Sequence, residues 1–151
     1  ETDYVVADGP GSLAETSRAL LLVADQAIVP CKASMLEIRA LDAATKVLRQ
    51  AQKIRVGPPK ATIVLSMVGK NYRLTQDMRE AAALLKLPIT PTFMTLRQIY
   101  ADAPGQAAVV WHMGSRAREA AVEVDRLFRE LLPDAVASSR PAARKRQAVA
   151  T

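Results

Sequence analysis

The chain has 151 residues, half of them hydrophobic and 24% charged, with a net charge of +6, which suffices for one domain with a real core. No apolar run reaches the roughly 18 residues a helical membrane span needs, and from the acidic, strand-like opening stretch no secretory signal is expected. Cys31 is alone, which excludes an internal disulfide framework and a cysteine metal cage and fits a reducing cytosol.

The first informative stretch is Asp3-Tyr4-Val5-Val6-Ala7-Asp8-Gly9-Pro10-Gly11-Ser12. A short apolar run ending in an acid and a Gly-Pro-Gly turn reads as a buried parallel strand over 4–7 that delivers Asp8 to its C-terminal edge. Open α/β sheets bind ligands at that edge. An acid there can hold Mg²⁺, and glycines let backbone approach a phosphate; the plainer alternative is a strand-end acid that caps the next helix. Because the chain starts within three residues of that strand, an upstream part is expected.

Ser12 and Glu15 have capping-box spacing, and a largely buried helix is expected to about Ala24. Residues 27–30 read as a second buried strand closed by Pro30. Ser34, with Glu37 three residues on, opens a helix to about Lys53 whose stripe is Leu36, Leu41, Ala44, Val47 and Leu48; Arg39, Lys46, Arg49 and Lys53 lie off it, free for water or a partner. Residues 56–60 form a loop, and 61–68 are the strongest strand, apolar and β-branched. After a basic loop at 69–73, Thr75 caps a helix that Pro88 stops at Leu87. Residues 89–94 read as a strand near the sheet edge because of Pro91. A short helix over 96–103, a small hydrophobic extension at 107–111 and an amphipathic helix over 115–132 follow. That last helix turns Ala117, Ala121, Val124, Leu127, Phe128 and Leu131 inward, and Pro133 ends it.

Residues 134–151 are rich in Ala, Ser, Pro and Arg, and disorder is expected there. The tail carries Arg140, Arg144, Lys145 and Arg146 against the one acid Asp134, so it supplies +3 of the +6. Cys31 reads as a small apolar filler at a strand end, with a thiol activated by Lys32 as the alternative. His112, without companion ligands, reads as structural. The alternation of strands and helices predicts an α/β domain, a mostly parallel sheet flanked by helices, with function along one edge.

Four blocks taken together resemble the ParA/MinD group of deviant Walker-type ATPases, and within it the short ParA-type plasmid and chromosome partition proteins. Tyr4-Val5-Val6-Ala7-Asp8-Gly9-Pro10-Gly11 is similar to the family's Walker B strand and switch turn. Ile28-Val29-Pro30 with Ala33-Ser34 is similar to its Ile-Pro-x-x-Pro-Ser segment. Leu65-Ser66-Met67 with Asn71-Tyr72-Arg73-Leu74-Thr75 is a third block, and Arg97, Ala101 and Gly105 at four-residue intervals are the fourth.

The resemblance implies a P-loop NTPase type of fold, with residues 1–133 as the C-terminal part of the ATPase domain. It implies ATP and Mg²⁺ as cofactors, with Asp8 as catalytic residue and metal ligand. Gly9, Pro10 and Gly11 would respond to the γ-phosphate, and the loops at Met67 and at Phe93 to Thr95 would enclose the adenine. It further implies an ATP-bound homodimer on non-specific DNA, released by a ParB-type centromere-binding partner, in the cytoplasm at the nucleoid and with no membrane role. Lys70, Arg73 and Arg97 match positions that carry basic DNA-contacting residues, and Arg140, Arg144, Lys145 and Arg146 would add phosphate contacts. The family's phosphate loop and its strand have no counterpart here, so a gap lined by apolar surface is expected and this chain alone should turn over little ATP. Phe93-Met94 stands where relatives often have Pro-Arg. The alternative function is a non-catalytic basic nucleic-acid-binding module acting mainly through its tail. A MinD-like membrane helix would need bulky apolar residues that the C-terminal end lacks, and a nitrogenase-iron-protein-like cluster would need more than Cys31.

Overall fold

A computed structural model describes residues 4–10, 15–32, 34–69 and 72–138. In chain order it has α1 (Glu15–Val23), β1 (Gln26–Lys32), α2 (Met35–Arg55), β2 (Lys60–Ser66), α3 (Tyr72–Leu84), α4 (Gln98–Gly105), α5 (Arg118–Leu131) and α6 (Pro133–Ser138), with single 3₁₀ turns at Val110–His112 and Ser115–Ala117 before α5. The fold is α/β with a parallel sheet flanked by helices, as the alternation of elements predicts.

β2 is the spine of the sheet. Ile63 and Leu65 are fully buried and Val64 nearly so, which is what a β-branched run does when both of its faces are covered. On one edge β1 pairs with it in parallel, from Gln26 opposite Lys60 to Lys32 opposite Ser66. On the other edge runs segment 88–96, also parallel, with bridges from Ile63 to Ile89 and from Val68 to Thr95. The Ile63 N–H donates to the Pro88 carbonyl at 2.8 Å, Thr90 N–H to Ile63 at 3.0 Å, Met94 N–H to Leu65 at 2.8 Å and Leu96 N–H to Val68 at 2.9 Å. The ladder is interrupted between Thr90 and Met94, around Pro91, so this third strand exists as two bridges rather than a continuous element.

Two apolar clusters form the core, the first of them against the sheet. The first joins Cys31, Ile63, Leu65 and Val68 to Leu41 and Leu48 of α2 and to Met78 and Ala82 of α3. The second is built from Ile99 and Ala103 of α4, Val110, Met113 and Ala117 of the connecting turns, and Ala120 of α5. The α2 stripe is Leu41, Thr45, Leu48 and Ala51. Thr45 is admitted because its hydroxyl donates back to the Leu41 carbonyl at 2.7 Å, so its own polar group is paired. Ser34 caps α2 as its spacing predicts, accepting from the Glu37 N–H at 3.2 Å. Arg49, expected from its off-stripe position to be free for water or a partner, is engaged instead; its guanidinium donates to the Leu85 and Lys86 carbonyls and so caps the end of α3.

Several expectations need correction. Residues 4–10 have no regular structure, and Val5 and Val6 are 86% and 90% exposed, so the expected buried strand is not one. Among the described residues this run meets no neighbouring strand, and an apolar run becomes a buried strand only between partners. For the same reason α1 has no buried residue, with Leu22 and Val23 exposed, and β1 leaves Ile28 exposed. β1 also continues past Pro30 to Lys32, which an edge strand permits. Leu36 stands exposed rather than on the α2 stripe. α3 begins three residues before Thr75, which therefore lies inside the helix, and it ends at Leu84. Phe128 faces outward against Trp111, ring centroids 6.3 Å apart, while Ala120 takes an inward place. Residues 133–138 form α6, because Pro133 suits a first helical position and Asp134 its first turn, so the expected disorder does not begin at residue 134. The Ser12 cap and residues 139–151 lie outside the described residues.

The end of α2 carries a strained position. Val56, its C-cap, has φ 54° and ψ 48°, a left-handed conformation that a β-branched side chain adopts only under constraint. Its side chain is 90% exposed and packs on little. Val56→Gly should therefore raise stability by about 1 kcal/mol, read as a higher urea midpoint at unchanged slope; an equal or lower midpoint would show the position to be unstrained.

Candidate functional site

The C-terminal ends of the parallel strands form one rim. Lys32 and Ser66 are register partners there, the Val68 N–H donates to the Met94 carbonyl at 3.0 Å, and Val68 bridges Thr95. Two stretches that the sequence singles out separately, at Met67 and at Phe93 to Thr95, are thus adjacent. Met67 is exposed with φ 52°, a strained backbone at the rim. Phe93 is half-buried against the first apolar cluster.

The rim is fixed from outside by α5. Glu123 accepts five hydrogen bonds: from the Thr95 N–H at 3.2 Å and its hydroxyl at 2.8 Å, from Arg97 Nε at 3.0 Å and Nη2 at 2.7 Å, and from the Tyr100 hydroxyl at 2.9 Å. Glu130 repeats the grip on Thr92, accepting from its N–H at 3.1 Å and its hydroxyl at 2.5 Å. The two grips fit because seven residues of helix rise about 10.5 Å and three residues of extended chain span about 10 Å. The carboxylates do for this edge what a further strand would do, satisfying N–H groups that would otherwise point outward.

The charges of this cluster are strongly coupled. Burial alone would raise the Glu123 carboxyl, but hydrogen bonds from Arg97, Thr95 and Tyr100 outweigh it and hold the group below the usual carboxylate range. Tyr100 is pushed upward by burial and by the Glu123 carboxylate. Arg97 is raised by its hydrogen bonds to Glu123 and Glu119 against the opposing effect of burial. Sequence reasoning missed Glu119, Glu123 and Glu130; their spacing of four and seven residues puts all three on one helical face, which was the available signal.

Asp8 is exposed on the irregular segment 4–10. Its turn is tied to α1, since Ser17 Oγ donates to the Pro10 carbonyl at 2.9 Å and a Cβ on Gly9 would meet Leu20 Cδ1 at 3.0 Å. Arg73 is exposed near the start of α3. Arg97 does not offer the free cation expected of it, because Glu119 takes Nη1 at 2.6 Å while Glu123 holds the rest of the guanidinium. Gly11, Lys70, Arg140, Arg144, Lys145 and Arg146 lie outside the described residues.

Cys31 is buried, and burial, with Glu37 adding to it, pushes its thiol up to about 11, so it acts as the apolar filler and not as a nucleophile. His112 is exposed, and among the described residues no three His, Cys, Asp or Glu side chains converge as a metal cage. Among the described residues no helix is long and apolar enough to cross a membrane. A shallow recess between α2 and the end of α3 is lined by Asp42, Lys46, Arg49 and Lys86. Two of its cations are engaged, Lys46 with Asp42 at 2.8 Å and Arg49 at the α3 carbonyls.

Glu123→Gln should cost about 2 kcal/mol by weakening several charge-assisted bonds at once. Because the folded-state value is depressed, the Glu123 contribution is present above the unfolded glutamate value of about 4.3 and is lost as pH falls through the lower folded value. Thermal unfolding at neutral pH should therefore separate wild type from variant, and the gap should close on acidification; a gap that is constant with pH would contradict a charged Glu123 at the centre of the cluster.

No protein-family model matches the chain. Among curated proteins it is similar to the maintenance of carboxysome distribution protein A of Halothiobacillus neapolitanus, with 28% identity over 133 residues. The match takes in 87% of this chain and 61% of that protein, so the chain spans less than two thirds of its relative's length.

Proposed function

We propose that the chain is the C-terminal portion of a ParA/MinD-type positioning ATPase, acting with ATP and Mg²⁺ as a dimer on non-specific DNA. The observation that carries this reading is the junction of the Met67 and Phe93 to Thr95 stretches at the C-terminal rim of a parallel sheet, where α/β sheets take nucleotides. The similarity over 87% of the chain to a protein named for distributing carboxysomes agrees with a positioning role. Large apolar side chains exposed at Val5, Val6, Val23 and Ile28 fit a sheet that continues beyond β1.

Mg²⁺ would come with the nucleotide. It is held by one or two carboxylates, waters and substrate phosphates rather than by an all-protein cage, and a single exposed Asp8 beside a Gly-Pro-Gly turn suits that donor set. When bound, the ion would neutralise charge on the β- and γ-phosphates. Asp8 would orient it, Gly9 to Gly11 would bring backbone close to the terminal phosphate, and Thr95, held by Glu123, would keep the base-side wall in place. Arg73 and Lys70 after β2, with the tail arginines, would meet DNA phosphates; a ParB-type partner would stimulate release.

The test is steady-state ATP hydrolysis by the protein containing this chain together with the sequence upstream of Glu1, with and without duplex DNA. Asp8→Ala should lower turnover on the order of a hundredfold or more without unfolding the protein. Turnover within twofold of wild type would remove Asp8 from the site. DNA binding lost only when residues 134–151 are deleted, with no ATP dependence, would favour a basic binding module instead.

A further inference from the structure

Arg97 has two carboxylate partners that hold it with unequal firmness. Glu123 takes Nε and Nη2 and its side chain is 17% exposed, whereas Glu119 takes Nη1 alone and is 78% exposed. An exposed ion pair contributes little and is screened by salt. Nη1 is therefore the exchangeable corner of a guanidinium that is otherwise fixed in direction. Arg116 and Arg118 stand within three residues of Glu119 in the chain, both exposed, and their guanidinium groups make no hydrogen bond or ion pair among the described residues. A planar fork, with two further exposed guanidinium groups flanking its Glu119 partner in sequence, suits phosphate oxygens better than a point charge would.

We propose that Glu119 is a mask: it occupies Arg97 Nη1 until a phosphate of a duplex DNA backbone displaces it and is gripped by Arg97 together with Arg116 and Arg118. Glu123 is a positioning residue in this exchange, keeping the guanidinium aimed while Nη1 changes partners. The proposal rests on the DNA-binding part of the reading above and adds its regulation. The net charge of +6 draws a polyanion toward the chain, and the mask sets how much of that attraction becomes a close contact. The carboxylate costs affinity twice, by holding the donor and by repelling the phosphate that approaches.

Binding of a fluorescein-labelled random-sequence duplex to the 151-residue chain, followed by anisotropy over a potassium chloride series, tests this. Glu119→Gln should bind about five- to tenfold more tightly than wild type, with the slope of log K against log salt steeper by about one phosphate contact. The gain should vanish in Glu119→Gln/Arg97→Gln, and largely in Glu119→Gln/Arg97→Lys, which keeps the charge but lacks the fork and covers the case in which glutamine at 97 unfolds the chain. Asp102→Asn removes a nearby carboxylate that accepts only from Gln98 and should change affinity less than twofold. The mask is refuted if Glu119→Gln binds no tighter than wild type, if its gain survives both double variants, or if Asp102→Asn gains as much. No nucleotide enters these assays, so such a result leaves the turnover experiment to judge the ATPase reading on its own.

Discussion

The structure depends on the pairing of β2 on both of its edges. Once Ile63, Val64 and Leu65 are buried on both faces, their backbone groups have no access to water and must find partners in neighbouring strands. β1 supplies a regular ladder on one side. Segment 88–96 supplies an interrupted one on the other, leaving Thr92, at the interruption, and Thr95, whose N–H points outward from the edge, to find acceptors elsewhere. The placement of α5 follows from that need, since Glu130 and Glu123 provide those acceptors.

This arrangement ties the chemistry of the rim to a helix far away in sequence. Thr95 and Arg97 are held by carboxylates 22 to 28 residues downstream, so the geometry of the rim is set by tertiary packing and not by the loop's own preferences. Tyr100 closes the cluster by donating its one hydroxyl proton to Glu123 at 2.9 Å, with the Ala120 carbonyl 3.2 Å from the same oxygen. A rim built in this way is preorganised, because hydrogen bonds fix its donors before any ligand arrives. It also explains why a basic residue that looks available in the sequence is engaged in the fold.

What was legible in the sequence was whatever short-range physics decides. The capping of α2 by Ser34, the burial of 61–65 and the amphipathic run that becomes α5 follow from spacing and side-chain type alone. The weakening of the third strand at Pro91 was legible too, because a missing N–H has only one consequence in a sheet. What failed depended on neighbours: residues 4–7 have the composition of a buried strand but no strand covers them among the described residues, and α1, whose Leu21 packs against the first apolar cluster, is covered only in part. The engagement of Arg97 was not legible, because a sequence shows a cation but not the two carboxylates that fold against it. The glutamates of α5 were passed over because acids on an amphipathic helix normally face water, and only the position of segment 88–96 turns them into ligands for backbone.

The central claim, that α5 carboxylates complete the edge of a three-membered parallel sheet and so fix its ligand-facing rim, is tested most directly by residue-resolved amide hydrogen exchange on the 151-residue chain. The account predicts that Thr92 and Thr95 exchange slowly, close to Thr90 and Met94 whose amides bond to β2, even though they donate to side chains. Exchange at Thr92 and Thr95 as fast as at the exposed residues 4–7, with Thr90 and Met94 still protected, would mean that the carboxylates do not hold the rim and would contradict the account.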